Sequence, residues 1–153
     1  MFQRIMCATD FSDTAEAAWE AACELARVHR AELVLVHVFT EPPIYPEVAA
    51  ASVLTAWEES RRWVTRELER RVADAEARGL RARAVLETGT APEGIVDTAA
   101  EHHADLIVIG THGRTGLERI LLGSVAERVV RTAPCAVLTI KPRAARQQAR
   151  AVA

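Results

Sequence analysis

The chain has 153 residues, a formal net charge of −2 and 26% charged residues. That length suits one domain with its own core, and the near-neutral charge excludes broad electrostatic attraction to nucleic acid or to an anionic membrane surface. The three cysteines lack the spacing of a disulfide framework or a zinc site, and no apolar run approaches the roughly 18 residues of a membrane span, so we expect a cytoplasmic protein with no membrane partner.

Five short aliphatic runs predict buried strands. Three of them are nearly continuous in apolar residues, as is typical of the central strands of a parallel sheet. In chain order the predicted strands are residues 4–9, 32–39, 81–87, 105–110 and 136–141.

The segments between these strands show helical periodicity. The first predicted helix covers residues 13–30, and the second is long and ends near Gly79. Capping boxes predict where three of the helices begin. They pair Asp13 with Glu16, Thr90 with Glu93, and Ser124 with Glu127.

Regular alternation of strands and helices predicts an α/β fold, a doubly wound parallel sheet with helices on both faces. We assign residues 1–142 to this domain. Residues 40–50 carry three prolines and are predicted to form a loop at the end of the second strand. Residues 143–153 are predicted to be a flexible, solvated tail; the alternative is that their arginines contact an acidic partner.

Glycines are concentrated directly after the fourth predicted strand, in the stretch GTHGRTGLERILLGS. Ligands of such sheets bind beyond the carboxyl ends of the strands, and backbone N–H groups approach phosphate oxygens closely where no Cβ intervenes. Gly123 and Ser124 begin the last predicted helix, whose free N–H groups attract anions, and Arg114 and Arg119 supply positive charge. The alternative is structural: Ser124 caps the helix, and the glycines relieve turns.

The order of these residues, GxxG followed by nine residues and GS, resembles the nucleotide-binding signature of the universal stress protein family. The resemblance extends over nearly the whole chain, including RIMCATDFSDTA, LVLVHVF and GSVAERVVRTAPCAVLTIKP. It implies a five-stranded parallel sheet in the order 3-2-1-4-5 and a site for ATP, together with Mg²⁺.

Matching positions carry the family's roles onto this chain. Asp10 would face the nucleoside, although a cap shared with Ser12 at the start of the first helix is an equal alternative. The backbone of Val38 would meet the adenine edge, and Ile109 would pack beneath the nucleoside. The resemblance places Gly110, His112 and Gly113 along the ribose and phosphates, and Gly123, Ser124 and Val125 at the phosphate end.

Other candidate motifs point to structure rather than chemistry. The stretch GTAPEGIV at residues 89–96 starts like a P-loop but has Ile95 and Val96 in place of the required lysine and hydroxyl residue. His37 lies within a strand and is interpreted as a packed or hydrogen-bonded residue. His102 and His103 are adjacent and point apart on a helix, so no metal site is predicted.

These observations favour a nucleotide-dependent stress-response or regulatory protein. The sequence shows no specific group for metal-assisted phosphoryl transfer, so no catalytic residue is assigned. Two alternatives stay open: a slow ATPase or autophosphorylating enzyme, and a ligand-free dimeric interaction scaffold. With the strand order above, residues 136–141 form a sheet edge, and we expect a homodimer to pair there.

Overall fold

Five parallel strands, in the order β3-β2-β1-β4-β5, form the centre of the computed structural model. The structure describes residues 1–40, 51–111 and 122–141, with backbone alone for Ala51 and Ser52. The predicted fold class and strand order are confirmed. The elements are β1 (Arg4–Ala8), α1 (Asp13–His29), β2 (Glu32–Phe39), α2 (Ala51–Ala77), β3 (Arg81–Thr88), α3 (Ala91–Glu101), β4 (Leu106–Gly110), α4 (Ser124–Thr132) and β5 (Ala136–Ile140).

Some of the sequence predictions fall on residues outside the described ranges. These are most of the proline-rich loop, the whole 143–153 tail, and the site candidates His112, Gly113 and Arg114, with Arg119.

Two apolar layers sandwich the sheet. Leu33 and Leu35 of β2 face the core shared with α1 and α2, whereas Val34 and Val36 face the core shared with α3 and α4. All four are fully buried. Burial on both faces explains why the central strands read as continuous apolar runs.

Two helices begin one position away from the predicted capping residue. The N-cap of α1 is Ser12 rather than Asp13: its Oγ accepts a hydrogen bond from the Ala15 N–H (3.2 Å). The N-cap of α4 is Gly123, and the predicted capping box of Ser124 with Glu127 is not formed, because Ser124 is already helical. The side chain of Ser124 is therefore not used to cap the helix.

A cluster of charged side chains ties the first three strands together near their amino ends. Glu32 of β2 accepts hydrogen bonds from Arg83 Nε of β3 (2.7 Å) and from Arg4 Nε of β1 (2.9 Å). These bonds, first that from Arg83 and then that from Arg4, hold the pKa of Glu32 below its ordinary value. The ion pairs stabilise the folded chain only while Glu32 is ionised.

We predict that Glu32→Gln lowers the free energy of unfolding at pH 7 by about 1 kcal/mol, since the half-exposed pairs are partly screened by water. The folded pKa lies below the unfolded one, so the wild-type advantage is present above about pH 4.3 and disappears as the pH falls through the folded value. Urea titrations at pH 7, 5 and 3 measure the difference in free energy of unfolding between the wild type and Glu32→Gln. Glu24→Gln, which breaks an exposed pair with Arg27, is the control and should change stability less. A pH-independent difference for Glu32→Gln would contradict the assignment.

Candidate nucleotide-binding site

A pocket of about 350 Å³ opens at the carboxyl ends of β1, β2 and β4. The chain crosses from β1 to β2 on one side and returns to β4 on the other, so this is the point where the strand order reverses. In doubly wound sheets such a point is the usual place for a ligand. The pocket volume is within the range of small-molecule sites.

The structure brings most of the predicted site residues into this pocket. The predicted residues that line it are Asp10, Val38, Ile109, Gly110, Gly123, Ser124 and Val125. Several further lining residues were not predicted from the sequence, chiefly Thr9, Thr111, Ala91 and Ile95. His37, which was predicted to be structural, also lines the pocket, and its Nδ1 lies 2.7 Å from the Thr9 carbonyl oxygen.

The backbone of Val38 faces the space beyond the end of β1. The last parallel hydrogen bond between these strands runs from the Thr9 N–H to the Val36 carbonyl (2.9 Å). Backbone groups of alternate residues in a strand point to the same neighbour, so the N–H and C=O of Val38 point to the β1 side as well. Beyond the end of β1 the chain has turned away from the sheet, so β1 does not pair with Val38 on that side. A ligand that has one hydrogen-bond donor and one acceptor along an edge can bind to these backbone groups instead.

The opposite end of the pocket is formed by the start of α4. Gly123 is the N-cap with φ −69° and ψ 156°, an extended conformation that any residue adopts. Gly123, Ser124, Val125 and Ala126 all line the pocket, so the first turn of α4 lies against it. N–H groups of a first helical turn lack partners within the helix and favour an anion.

The backbone of Thr111 connects the start of α4 to the end of β5. Its carbonyl accepts a hydrogen bond from the Gly123 N–H (2.7 Å), and its own N–H donates to the Ile140 carbonyl (2.8 Å). The two ends of the glycine-rich stretch therefore meet at one point, between β4 and α4.

Gly110 has a packing reason to lack a side chain, in addition to the phosphate approach predicted from the sequence. A Cβ at this position would lie 2.8 Å from Thr14 Cγ2 and 3.2 Å from the Thr14 backbone. Its bare backbone thus admits the first turn of α1. Gly110 also lines the pocket.

Asp10 performs the structural role that was one of its two interpretations. Its Oδ1 accepts hydrogen bonds from the Ser12 N–H (3.1 Å) and the Ser12 hydroxyl (2.6 Å). Ser12 in turn caps α1. Because Asp10 also lines the pocket, the same carboxylate orders the turn and borders the site.

Helix α3 supplies the apolar wall through Ala91 and Ile95. It comes close to β2 at Gly94, where a Cβ would lie 2.8 and 2.9 Å from the two γ-carbons of Val38. A salt bridge between Glu93 and Arg128 (2.6 Å) joins α3 to α4. The two helices that flank the pocket are thereby held to each other and to the sheet.

Comparison with known proteins agrees with this geometry. The model of the universal stress protein family matches residues 1–141. The chain belongs to that family. Universal stress protein MJ0531 of Methanocaldococcus jannaschii is 37% identical over 145 residues, which cover 92% of this chain and 83% of the relative.

Solved structures of the universal stress protein family share the fold. Universal stress protein UspA from Lactobacillus plantarum superimposes with a TM-score of 0.81 at 25% identity, over 90% of this chain and 97% of that one. A universal stress protein crystallised in complex with cAMP gives a TM-score of 0.70 at 26% identity, over 92% and 98% of the two chains.

The described ranges hold neither a group of three side chains suited to a metal ion nor a helix that combines the length and apolar character of a membrane span.

We predict that Gly94→Ala destabilises the protein by about 1 to 3 kcal/mol, because the new methyl group overpacks against the stiff side chain of Val38. In a Val38→Ala background the same substitution should become neutral or stabilising, since alanine then contributes only its higher helix propensity. Urea unfolding of the wild type, both single variants and the double variant measures the sign change. If Gly94→Ala lowers the free energy of unfolding equally in both backgrounds, the new methyl group does not contact Val38.

Proposed function

We propose that this protein binds ATP, together with Mg²⁺, in the pocket at the end of β1 and acts as a nucleotide-dependent stress-response or regulatory protein. The observation that carries the proposal is that two different groups border the same pocket. The backbone of Val38 lies at one side, and the first turn of α4 lies at the other. The first suits the edge of a base and the second suits phosphates.

The remaining roles are those that the family resemblance implies for these positions. Ile109 packs beneath the nucleoside, and Asp10 faces the nucleoside near the ribose or adenine. Gly110 lies between these groups and the phosphate end, where Gly123, Ser124 and Val125 meet the anion. The resemblance assigns His112 and Gly113 to the ribose and phosphates as well, and the positive charge of Arg114 suits the phosphates. The relative solved with cAMP supports an adenine nucleotide as the ligand class.

We infer binding rather than rapid turnover. Phosphoryl transfer needs a carboxylate that holds a metal ion beside the phosphates. Asp10 is the carboxylate that borders the described part of the pocket, and it accepts two hydrogen bonds from Ser12. We also propose a cytoplasmic location for the protein, because its cysteines Cys7, Cys23 and Cys135 are free thiols, as is typical of a reducing compartment.

The direct test is to purify the protein from cells, denature it with heat and analyse the released small molecules by chromatography. Titration of ATP into nucleotide-free protein, with and without Mg²⁺, then gives the affinity. Release of inorganic phosphate over hours would favour the slow ATPase. An empty protein that also fails to bind added ATP at millimolar concentration would favour the ligand-free scaffold.

For a single residue, we predict that Ser124→Ala weakens ATP binding by about 1.5 to 3 kcal/mol, because the hydroxyl donates to a charged phosphate oxygen. Its stability should change little, since the Ser124 side chain does not cap α4. Calorimetric titration measures the affinity. Ser60→Ala on the exposed surface of α2 is the matched control. If the two alanine variants bind ATP equally well, the hydroxyl does not touch the phosphates.

We further propose a homodimer formed along β5 and its flank, residues 136–141. β5 is an edge strand of the sheet, and its Leu138 side chain is exposed. The Ile140 carbonyl accepts from Thr111 on the β4 side. By alternation, the backbone N–H groups of Val137 and Thr139 point outward and are available to a second copy.

We predict that Thr139→Pro produces a monomer while the sheet stays intact, because proline removes an outward N–H and leaves the β4 ladder untouched. Thr139→Val keeps that N–H and should remain dimeric. Sedimentation velocity gives the oligomeric state, and circular dichroism reports the fold. A folded Thr139→Pro variant that is still a dimer would exclude pairing through this edge.

A further inference from the structure

Phe11, in the turn between β1 and α1, has an unfavourable backbone conformation. Its φ is 62°, in the left-handed region that a bulky side chain rarely occupies. It immediately follows Asp10, and its N–H donates to Thr9 Oγ1 (3.0 Å). An uncommon conformation next to a pocket persists only if the surrounding contacts hold it.

The contacts that hold Phe11 lie on the face of the sheet that α1 and α2 cover, which is opposite to the face covered by α3 and α4. The ring of Phe11 stacks on His37, with centroids 4.9 Å apart, and receives the edge of Trp63 at 5.2 Å. The guanidinium carbon of Arg71 lies 4.9 Å from the ring centroid. Two of the three partners, Trp63 and Arg71, belong to α2.

Arg71 is fixed in this position. It is 8% exposed, and a buried guanidinium requires paired carboxylates. Its Nη2 lies 2.8 Å from Glu16 of α1 and its Nη1 lies 2.6 Å from Glu67 of α2. Because both ends of the guanidinium are paired, its carbon stays over the Phe11 ring, where the attraction is favourable.

We propose that Arg71 is a positioning residue for the nucleotide pocket: by holding the Phe11 ring, it keeps the turn in the conformation that presents Asp10 to the ligand. The inference rests on the proposed function. It also means that α2, which contributes no residue to the pocket lining described above, is energetically coupled to nucleotide binding, and such coupling is reciprocal.

The chain contains its own control. Arg78 lies seven residues after Arg71, directly after the end of α2, and repeats the pairing, with Glu20 of α1 (2.9 Å) and Asp74 of α2 (2.6 Å). Arg71 differs in its contact with Phe11 and in its deeper burial. Loss of either arginine removes a bridge between α1 and α2, whereas loss of Arg71 alone frees the turn.

The experiment compares ATP affinity, measured by calorimetric titration, for Arg71→Met, Arg71→Lys and Arg78→Met. We expect Arg71→Met to bind ATP about 5- to 10-fold more weakly, Arg71→Lys to recover part of the loss, and Arg78→Met to stay within about twofold of the wild type. Phe11→Leu should match Arg71→Met, and the double variant should lose no more than either single variant.

A second measurement needs no ligand. Hydrogen exchange followed by NMR at the amides of Phe11, Ser12 and Ala15 should accelerate in Arg71→Met and not in Arg78→Met. Wild-type affinity in a folded Arg71→Met variant would overturn the inference and leave the proposed function standing. Absence of ATP binding in the wild type would overturn the proposed function and, with it, a role in nucleotide binding; the exchange rates would still decide whether Arg71 holds the turn. Unchanged exchange in Arg71→Met would overturn the clamp itself.

Discussion

The early end of β1 is the constraint on which the site depends. β1 pairs with β2 only as far as Ala8 opposite Val36, whereas β2 continues to Phe39. A strand that outlasts its neighbour leaves backbone donors and acceptors facing open space, and these groups require partners. The sharp turn through Asp10 and Phe11 keeps the chain from supplying them. The pocket thus results from a mismatch in strand length at the centre of the sheet.

Small residues then determine how closely the helices approach that opening. Gly110 admits the first turn of α1, and Gly94 lets α3 lie against Val38. Where a Cβ would fall within 3 Å of a neighbouring atom, only glycine permits the close packing seen here. These two glycines thus set how closely α1 and α3 pack at the site, and Gly110 also lines the pocket itself.

The alternation of apolar runs was enough to predict the fold class and the nine elements of the described ranges, because burial on both faces of the sheet leaves a strong signal. The strand order came from the family resemblance. The first residue of each helix was harder to predict from the sequence. Asp10, Ser12 and Asp13 offer similar oxygens within four positions, and only the three-dimensional turn decides that Ser12 is the cap. A similar ambiguity placed the cap of α4 on Ser124 instead of Gly123.

Parts of the site had no local signal. Ala91 and Ile95 reach the pocket because α3 packs closely on β2, and an alanine in a sequence does not reveal this. The left-handed conformation of Phe11 is likewise a product of tertiary contacts, since phenylalanine has no intrinsic preference for it. Asp10, Val38 and Gly110 were found because topology directs attention to the strand ends, although Thr9 and Thr111 at the same ends were not predicted.

The two hydrogen bonds of Thr111 have an evolutionary consequence. They bring the start of α4 back to the end of β4 and β5, so the scaffold is joined across the base of the intervening stretch, residues 112–122. Insertions, deletions or a wholesale exchange of that stretch can therefore be accommodated while the sheet and its helices keep their places. Descendants of such a chain can change the length and composition of this segment without a change of fold.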